Sequence, residues 1–148
     1  MKRKILPPVY FLGALLAMGA LHSLAPMYRY WTFPSALFGL LPLALGIVLN
    51  VMADREFHRH HTTVKPFEPS SALVTAFPFS VSRNPMYVGI TLMLVGVAML
   101  LGTISALVPA LAFPLLMDVL FVRTEEAMLA EAFGAQWERY RASVRRWM

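Results

Sequence analysis

Two long segments without a charged residue constrain this sequence most. No Asp, Glu, Lys or Arg occurs between Arg29 and Asp54, or between Arg83 and Asp118. A helix needs roughly 20 apolar residues to cross a bilayer. The first segment reaches that length, and the second is long enough for nearly two crossings. With 58% hydrophobic residues and a mean hydropathy of +0.61, the chain has more apolar surface than a soluble core requires. We therefore expect an all-α membrane protein.

The apolar pattern predicts about four transmembrane helices in a single domain over residues 1–148. The connection at 102–104 is very short, so we expect the last two helices to form a tight antiparallel hairpin. Proline and glycine inside the helices do not contradict this prediction, because membrane helices tolerate both. The predicted helices are Pro8–Leu24, Phe33–Ala53, Pro85–Leu101 and Ser105–Val122.

The basic residues predict the orientation of the helices, because Lys and Arg are retained on the cytoplasmic side. With the N-terminus inside, only Arg29 lies outside. This bias also accounts for the net charge of +5, so no nucleic-acid partner is expected. We expect a multi-pass protein of a prokaryotic-type cytoplasmic membrane with both termini in the cytosol. The twelve residues predicted inside are Lys2, Arg3, Lys4, Arg55, Arg59, Lys65, Arg83, Arg123, Arg139, Arg141, Arg145 and Arg146.

The two ends of the chain need separate interpretation. The basic start and the apolar run after it also fit a signal peptide. No obvious small-x-small cleavage site follows Leu21, where the sequence is His22-Ser23-Leu24-Ala25-Pro26, so a retained helix is favoured. The tail, 123–148, has apolar residues at spacings of three and four, so it predicts one amphipathic cytosolic helix.

Two polar clusters lie where chemistry is expected. One is Ser82-Arg83-Asn84-Pro85-Met86-Tyr87, at the start of the third helix, and the other is Arg123-Thr124-Glu125-Glu126, after the fourth. Each alone fits an ordinary helix boundary, with arginine snorkelling to the interface and carboxylates favouring the helix N-terminus. In a hairpin, however, both clusters converge at one cytosolic mouth. Two basic and two acidic groups around an apolar cleft predict a site for a zwitterionic ligand.

The order of these motifs resembles the isoprenylcysteine carboxyl methyltransferase family and its bacterial relatives. Leu73-Val74-Thr75, Phe79 and the Arg83–Gly89 segment are similar to that family's L-V-T, aromatic and R-H/N-P-x-Y-x-G pattern. The tail independently resembles the family's E-E-x-x-L…F-G-x-x-Y/W…Y…V-x-R/P end. The matching residues are Glu125-Glu126-x-x-Leu129, Phe133-Gly134-x-x-Trp137, Tyr140 and Val144-x-Arg146-Trp147. The resemblance covers about residues 60–148. Two departures are the segment 76–78, where the usual glycine is missing, and Asn84, where histidine is common.

The resemblance implies a cytosol-facing pocket for S-adenosylmethionine (SAM). An apolar strip would hold the adenine, a tyrosine would stack or donate a hydrogen bond, and a carboxylate would bind the ammonium or the ribose. Carried over by position, the cofactor-binding residues are Ser71, Ala72, Leu73, Val74, Phe79, Asn84, Pro85, Met86, Tyr87, Glu125 and Glu126.

The resemblance also predicts a SAM-dependent methyl transfer to a lipophilic or lipidated acceptor that reaches the site laterally from the membrane lipids. The expected acceptor is an isoprenylcysteine-like carboxylate, which forms a methyl ester. Arg123, then Arg83, are the predicted catalytic residues, because a guanidinium holds a carboxylate in a fork. The nearest alternative is a phospholipid amine N-methyltransferase. Two alternatives of another class are a small multidrug-type transporter and a non-catalytic membrane subunit. Such a proton-coupled transporter needs a carboxylate deep in a helix, and the first predicted helix of this chain has none.

A metal site is not expected. His58, His60 and His61 have a suggestive spacing, but they fall in a polar cytosolic loop where solvated histidines are the more ordinary interpretation.

Overall fold

The computed structural model describes residues 6–62, 67–68 and 70–148. These residues form α-helices with short irregular connections and no β-strand, as the predicted all-α class requires. The predicted cytosolic residues Lys2, Arg3, Lys4 and Lys65 lie outside the described residues. The helices are α1 (Pro7–Leu24), α2 (Leu40–Arg59), α3 (Pro85–Leu101), α4 (Ile104–Met117), α5 (Arg123–Phe133) and α6 (Ala135–Ser143).

The first and third predicted helices agree with α1 and α3 to within one residue. The second differs at both ends. It begins with a 3₁₀ turn, Ser35–Gly39, and α2 then continues to Arg59, past the predicted end at Ala53. The polar residues after Ala53 therefore extend the helix into the region predicted as a loop, and the Arg59–Glu56 ion pair lies in its last turn.

The fourth predicted helix is longer than expected. α4 continues through a π-helical turn, Asp118–Val122, directly into α5, so one helical stretch runs over Ile104–Phe133. That stretch, α1 and Ser35–Arg59 are long and apolar enough to cross a membrane. α3 is as apolar but has only 17 residues. The count of four crossings therefore remains a prediction.

Helix α3 packs most closely against α2, and glycines make this contact possible. A Cβ atom on Gly96 would lie 2.6 Å from the carbonyl oxygen of Gly39, and Gly46 and Gly89 oppose each other in the same way. Small residues let membrane helices approach closely and pack without the hydrophobic effect. α1 packs instead on α4, and within the described structure it does not contact α2. Within the described structure, α1 and α2 are therefore linked through α3 and not directly.

The tail is two helices and not the single helix predicted. Gly134 has a positive φ of +48° and ends α5, so the chain reverses before α6 begins. Trp137 and Tyr140 of α6 are buried against Val74, Phe79 and the end of α2. The turn at Gly134 therefore folds the tail back over the loop that precedes α3.

Candidate functional site

A cavity of about 670 Å³ lies between the end of α2, the start of α3 and helix α5. This volume is within the range of ordinary small-molecule sites, roughly 300–1,000 Å³. Its wall is mainly apolar, with carboxylates at a few positions. The cavity therefore has the composition of a binding site for a ligand that is part apolar and part charged.

The loop before α3 forms one wall, and the tail holds it in place. The Tyr140 hydroxyl donates to the Phe79 carbonyl oxygen at 2.7 Å, and the Phe57 and Phe79 rings meet edge to face at 4.9 Å. Burial raises the pKa of Tyr140, so the phenol stays protonated and remains a donor. Leu73 and Val74 of this loop face the cavity as an apolar strip.

The Ser82-Arg83-Asn84 turn is bound to the last residues of the chain. The Arg83 backbone N–H donates to the Arg145 carbonyl at 3.0 Å. The Ser82 hydroxyl and the Asn84 amide both donate to the Arg146 carbonyl, at 3.2 and 3.1 Å. The Arg83 guanidinium donates to the Val144 carbonyl at 2.7 Å. These contacts, which we call the tail clasp, join the two sequence motifs. In the tail clasp Asn84 donates a hydrogen bond, which a side chain that does not titrate can do.

The charged groups behind the clasp alternate in one chain of ion pairs. Arg83 binds Glu126 at 3.0 Å, and Arg146 binds the same carboxylate at 2.7 Å. Arg146 also binds Asp118 at 3.2 Å, and Asp118 binds Arg123 at 2.8 Å. The contact with Glu126 raises the pKa of Arg146. Arg83 and Glu126 therefore neutralise each other at the cavity wall.

Glu125 has a different environment from its neighbour Glu126. It accepts a hydrogen bond from the Tyr87 hydroxyl at 3.0 Å and faces the cavity. Among the described residues, no Lys or Arg forms an ion pair with it. A partly buried carboxylate without a cation is costly, so a cationic ligand group would stabilise it.

The structure brings most of the predicted site residues together. Of the predicted cofactor residues, all except Ser71 line the cavity, and Arg83 lines it too. Ser71 is exposed and donates instead to the His61 carbonyl at 3.0 Å. Arg123 lies outside the cavity, in a separate groove with Asp118, so the expected convergence of Arg123 with Glu125 at one mouth does not occur. The roles assigned to these residues remain predictions.

Several residues of the cavity wall were not predicted as site residues. Trp137 and Tyr140 belong to the tail motif and to the predicted apolar face of the tail helix, but neither pattern predicts them as site residues. Phe57 follows the apolar part of α2, and no sequence signal connects it with the loop. The other unpredicted lining residues are Leu6, Pro7, Pro8, Phe67, Glu68, Ser70, Ile90, Met128, Leu129, Glu131 and Ala132.

The histidines near the end of α2 form pairs with carboxylates. His58 lies 3.4 Å from Asp54, and His60 lies 3.8 Å from Glu56. Within the described ranges, no three His, Asp or Glu side chains come together as a metal site would require.

Fold and site together define a class: a helical membrane-embedded protein with an acidic and apolar cavity at one end of its bundle. A model of the phospholipid methyltransferase family matches residues 34–136, which include 20 of the 25 described residues that line the cavity. The chain belongs to this family. It is also similar to a phosphatidyl-N-methylethanolamine N-methyltransferase of Emericella nidulans, with 33% identity over 135 residues, covering 90% of this chain and 53% of the relative. The chain thus spans about half the length of that curated relative.

These comparisons change the family expectation. The predicted relation to membrane methyltransferases is confirmed at the broader level of the phospholipid methyltransferases. The narrower isoprenylcysteine assignment receives no support from them. They favour the phospholipid alternative, and membership in an enzyme family argues against the transporter alternative.

Proposed function

We propose that this protein is a membrane-embedded, SAM-dependent N-methyltransferase that acts on the amine of a phospholipid headgroup. The observation that carries this proposal is the charge of the cavity. Among the described lining residues, Glu125 and Glu131 form no ion pair, and Arg83 is the single Lys or Arg. Arg83 is itself neutralised by Glu126. Such a wall favours cationic ligands, and both a sulfonium and an ammonium are cations.

The cavity fits SAM in size and in the chemistry of its wall. Leu73, Val74 and Phe79 offer apolar surface for the adenine, as the sequence motifs predict. Glu125 offers a carboxylate for the cofactor's ammonium or ribose, and Tyr87 orients that carboxylate through its hydrogen bond. When bound, SAM supplies an electrophilic methyl group on a sulfonium.

An amine acceptor suits this wall better than a carboxylate acceptor. A carboxylate would need an available cation inside the cavity. The predicted one, Arg123, lies outside it, and Arg83 already contacts Glu126 and two backbone carbonyls. An ammonium headgroup instead gains a favourable interaction with the acidic wall. The charge of the wall thus supports the same acceptor as the name of the Emericella nidulans relative.

An amine must lose a proton before it can attack, and the acidic wall provides acceptors for that proton. In the reaction the amine nitrogen forms a bond to the methyl carbon, the carbon–sulfur bond breaks, and its electron pair stays on sulfur. The proton leaves the nitrogen. Glu131 is a candidate first acceptor, because it lines the cavity and is solvent-exposed, so it can pass the proton to water. The protein contributes mainly by holding the two reactants in line and excluding water.

The lipid part of the acceptor has a path along the membrane. The cavity reaches Leu6, Pro7 and Pro8 at the start of α1, and Ile90 one turn into α3. α1 and α2 have no contact within the described structure, so we infer that a lipid can approach this side of the cavity between them. Acyl chains can remain in the membrane there while the headgroup reaches the carboxylates.

The test is methyl transfer from methyl-labelled SAM by the full chain in liposomes. Phosphatidylethanolamine, phosphatidyl-N-methylethanolamine and a farnesylcysteine analogue are offered separately. We expect base-stable label on at least one of the two phospholipids and none on the farnesylcysteine. Glu125→Gln should reduce the rate at least about tenfold, the loss expected for one charge-assisted contact. Glu138→Gln makes the same change on the exposed surface of α6 and should have no effect.

Two outcomes would contradict the proposal. Base-labile methyl ester on the farnesylcysteine analogue, with unlabelled phospholipids, would restore the carboxylate hypothesis. SAM binding without transfer to any of the three acceptors would favour a non-catalytic subunit.

A further inference from the structure

A second groove lies on the other side of the tail clasp. It has a volume of about 520 Å³ and is formed by the end of α4, the π-helical turn and the last residues of the tail. Arg123 and Arg146 line it together with Asp118, Leu115 and Trp147. The family relationship and the proposed reaction assign no role to this groove.

The groove has a surplus of positive charge on its exposed side. The ion-pair chain that ends here contains three guanidinium groups, Arg83, Arg146 and Arg123, and two carboxylates, Glu126 and Asp118. Arg83 and Arg146 are held by several acceptors each. Arg123 binds Asp118 through Nε alone and its side chain is 64% exposed. Its two terminal nitrogens have no acceptor among the described residues and remain available to a ligand, in the fork that suits a phosphate.

An apolar row leads from Arg123 into the membrane-spanning part of α4. Leu111, Leu115 and Val119 precede Arg123 at intervals of four residues, which places them on one side of a helix. All three are highly exposed, between 60% and 71%. Trp147 lies beside the charged end, where an aromatic residue suits a membrane interface. The groove thus combines a phosphate fork, an interfacial aromatic side chain and a surface for an acyl chain.

We propose that this groove binds an anionic phospholipid, with the phosphate on Arg123 and an acyl chain along Val119, Leu115 and Leu111. The occupant is a lipid and not a soluble phosphate, because the charged end continues into an apolar row. It is an anionic lipid, because the surplus charge of the ion-pair chain is positive. The bound lipid would hold the tail against the membrane from outside the cavity, so the proposal is independent of the methyl acceptor.

Native mass spectrometry of the full chain in detergent tests this site. Phosphatidylglycerol and phosphatidylcholine with identical acyl chains are titrated separately, and lipid adducts are counted. We expect a first phosphatidylglycerol to bind at least about tenfold more tightly than phosphatidylcholine, as one charge-assisted contact would provide. Arg123→Gln should abolish that preference, and Arg123→Lys should retain only part of it. Glycerol 3-phosphate in excess should not displace the lipid.

Arg139→Gln is the matched control, because Arg139 is exposed on the same tail but lies outside the groove. It removes the same charge and should leave the preference unchanged. Equal losses in Arg139→Gln and Arg123→Gln would show attraction to the whole tail and overturn the site. Equal binding of the two lipids by the parent, or displacement by glycerol 3-phosphate, would overturn it as well.

Discussion

Glu125 and Glu126 are adjacent in the first turn of α5, but they have opposite surroundings. Successive helical residues point about 100° apart. Glu126 therefore faces the tail, where Arg83 and Arg146 bind it, while Glu125 faces Tyr87 and the cavity. Hence one carboxylate of the pair stabilises the tail clasp, and the other is available to a cationic ligand.

Replacing each of these carboxylates by its amide should separate the two roles. We expect Glu125→Gln to weaken SAM binding about tenfold or more, because a charge-assisted contact is lost, while the unfolding temperature stays close to that of the parent. Glu126→Gln should cost about 2–4 kcal/mol of stability, because it leaves Arg83 partly buried without its anion. SAM affinity is measured by calorimetry and stability by thermal unfolding, both with the protein in detergent. Parent-like SAM affinity in Glu125→Gln would exclude Glu125 from the cofactor site.

At the scale of elements, the tail completes a site that the membrane helices leave open. α6 covers the loop before α3 through Trp137 and Tyr140, and the residues after α6 accept hydrogen bonds from Ser82, Arg83 and Asn84. These hydrogen bonds from Ser82, Arg83 and Asn84 end on backbone carbonyls of the tail, so they depend on its presence and course more than on its side chains. The cavity is therefore assembled by an element outside the apolar bundle.

Removing residues 144–148 should abolish measurable SAM binding without unfolding the bundle. The deletion removes the carbonyl acceptors of Ser82 and Asn84 and the Arg146 guanidinium, so the loop that carries the apolar strip loses its support. Circular dichroism should still report the membrane helices, because the α2–α3 and α1–α4 contacts are untouched. Removal of Met148 alone, which is exposed, is the control. Strong SAM binding by the longer deletion would mean that the clasp does not support the cavity.

For the whole molecule, hydropathy predicted the helices well, because a bilayer leaves a spanning backbone few alternatives to a helix. The two motifs supplied eleven of the 25 described residues that line the cavity, and the other fourteen carried no site signal in the sequence. The expected convergence of Arg123 with Glu125 failed because it treated their cluster as one patch, while the role of Arg123 stays a prediction. Residues two apart on a helix point to nearly opposite sides, so Arg123 turns away when Glu125 faces the cavity. The break at Gly134 could not be predicted from periodicity, since the apolar spacing continues across it.

The orientation of the whole protein in its membrane is the last prediction. Twelve of thirteen Lys and Arg residues lie in segments predicted to be cytosolic, so the tail and cavity should face the cytosol, where SAM is made. The chain has no cysteine, so the labelling of a single introduced cysteine shows on which side of the membrane that position lies. In intact cells, a membrane-impermeant maleimide should label Tyr28→Cys at once, and Ala142→Cys only after permeabilisation. Both positions are exposed. Labelling of Ala142→Cys from outside would reverse the topology and leave the cavity facing away from its proposed cofactor.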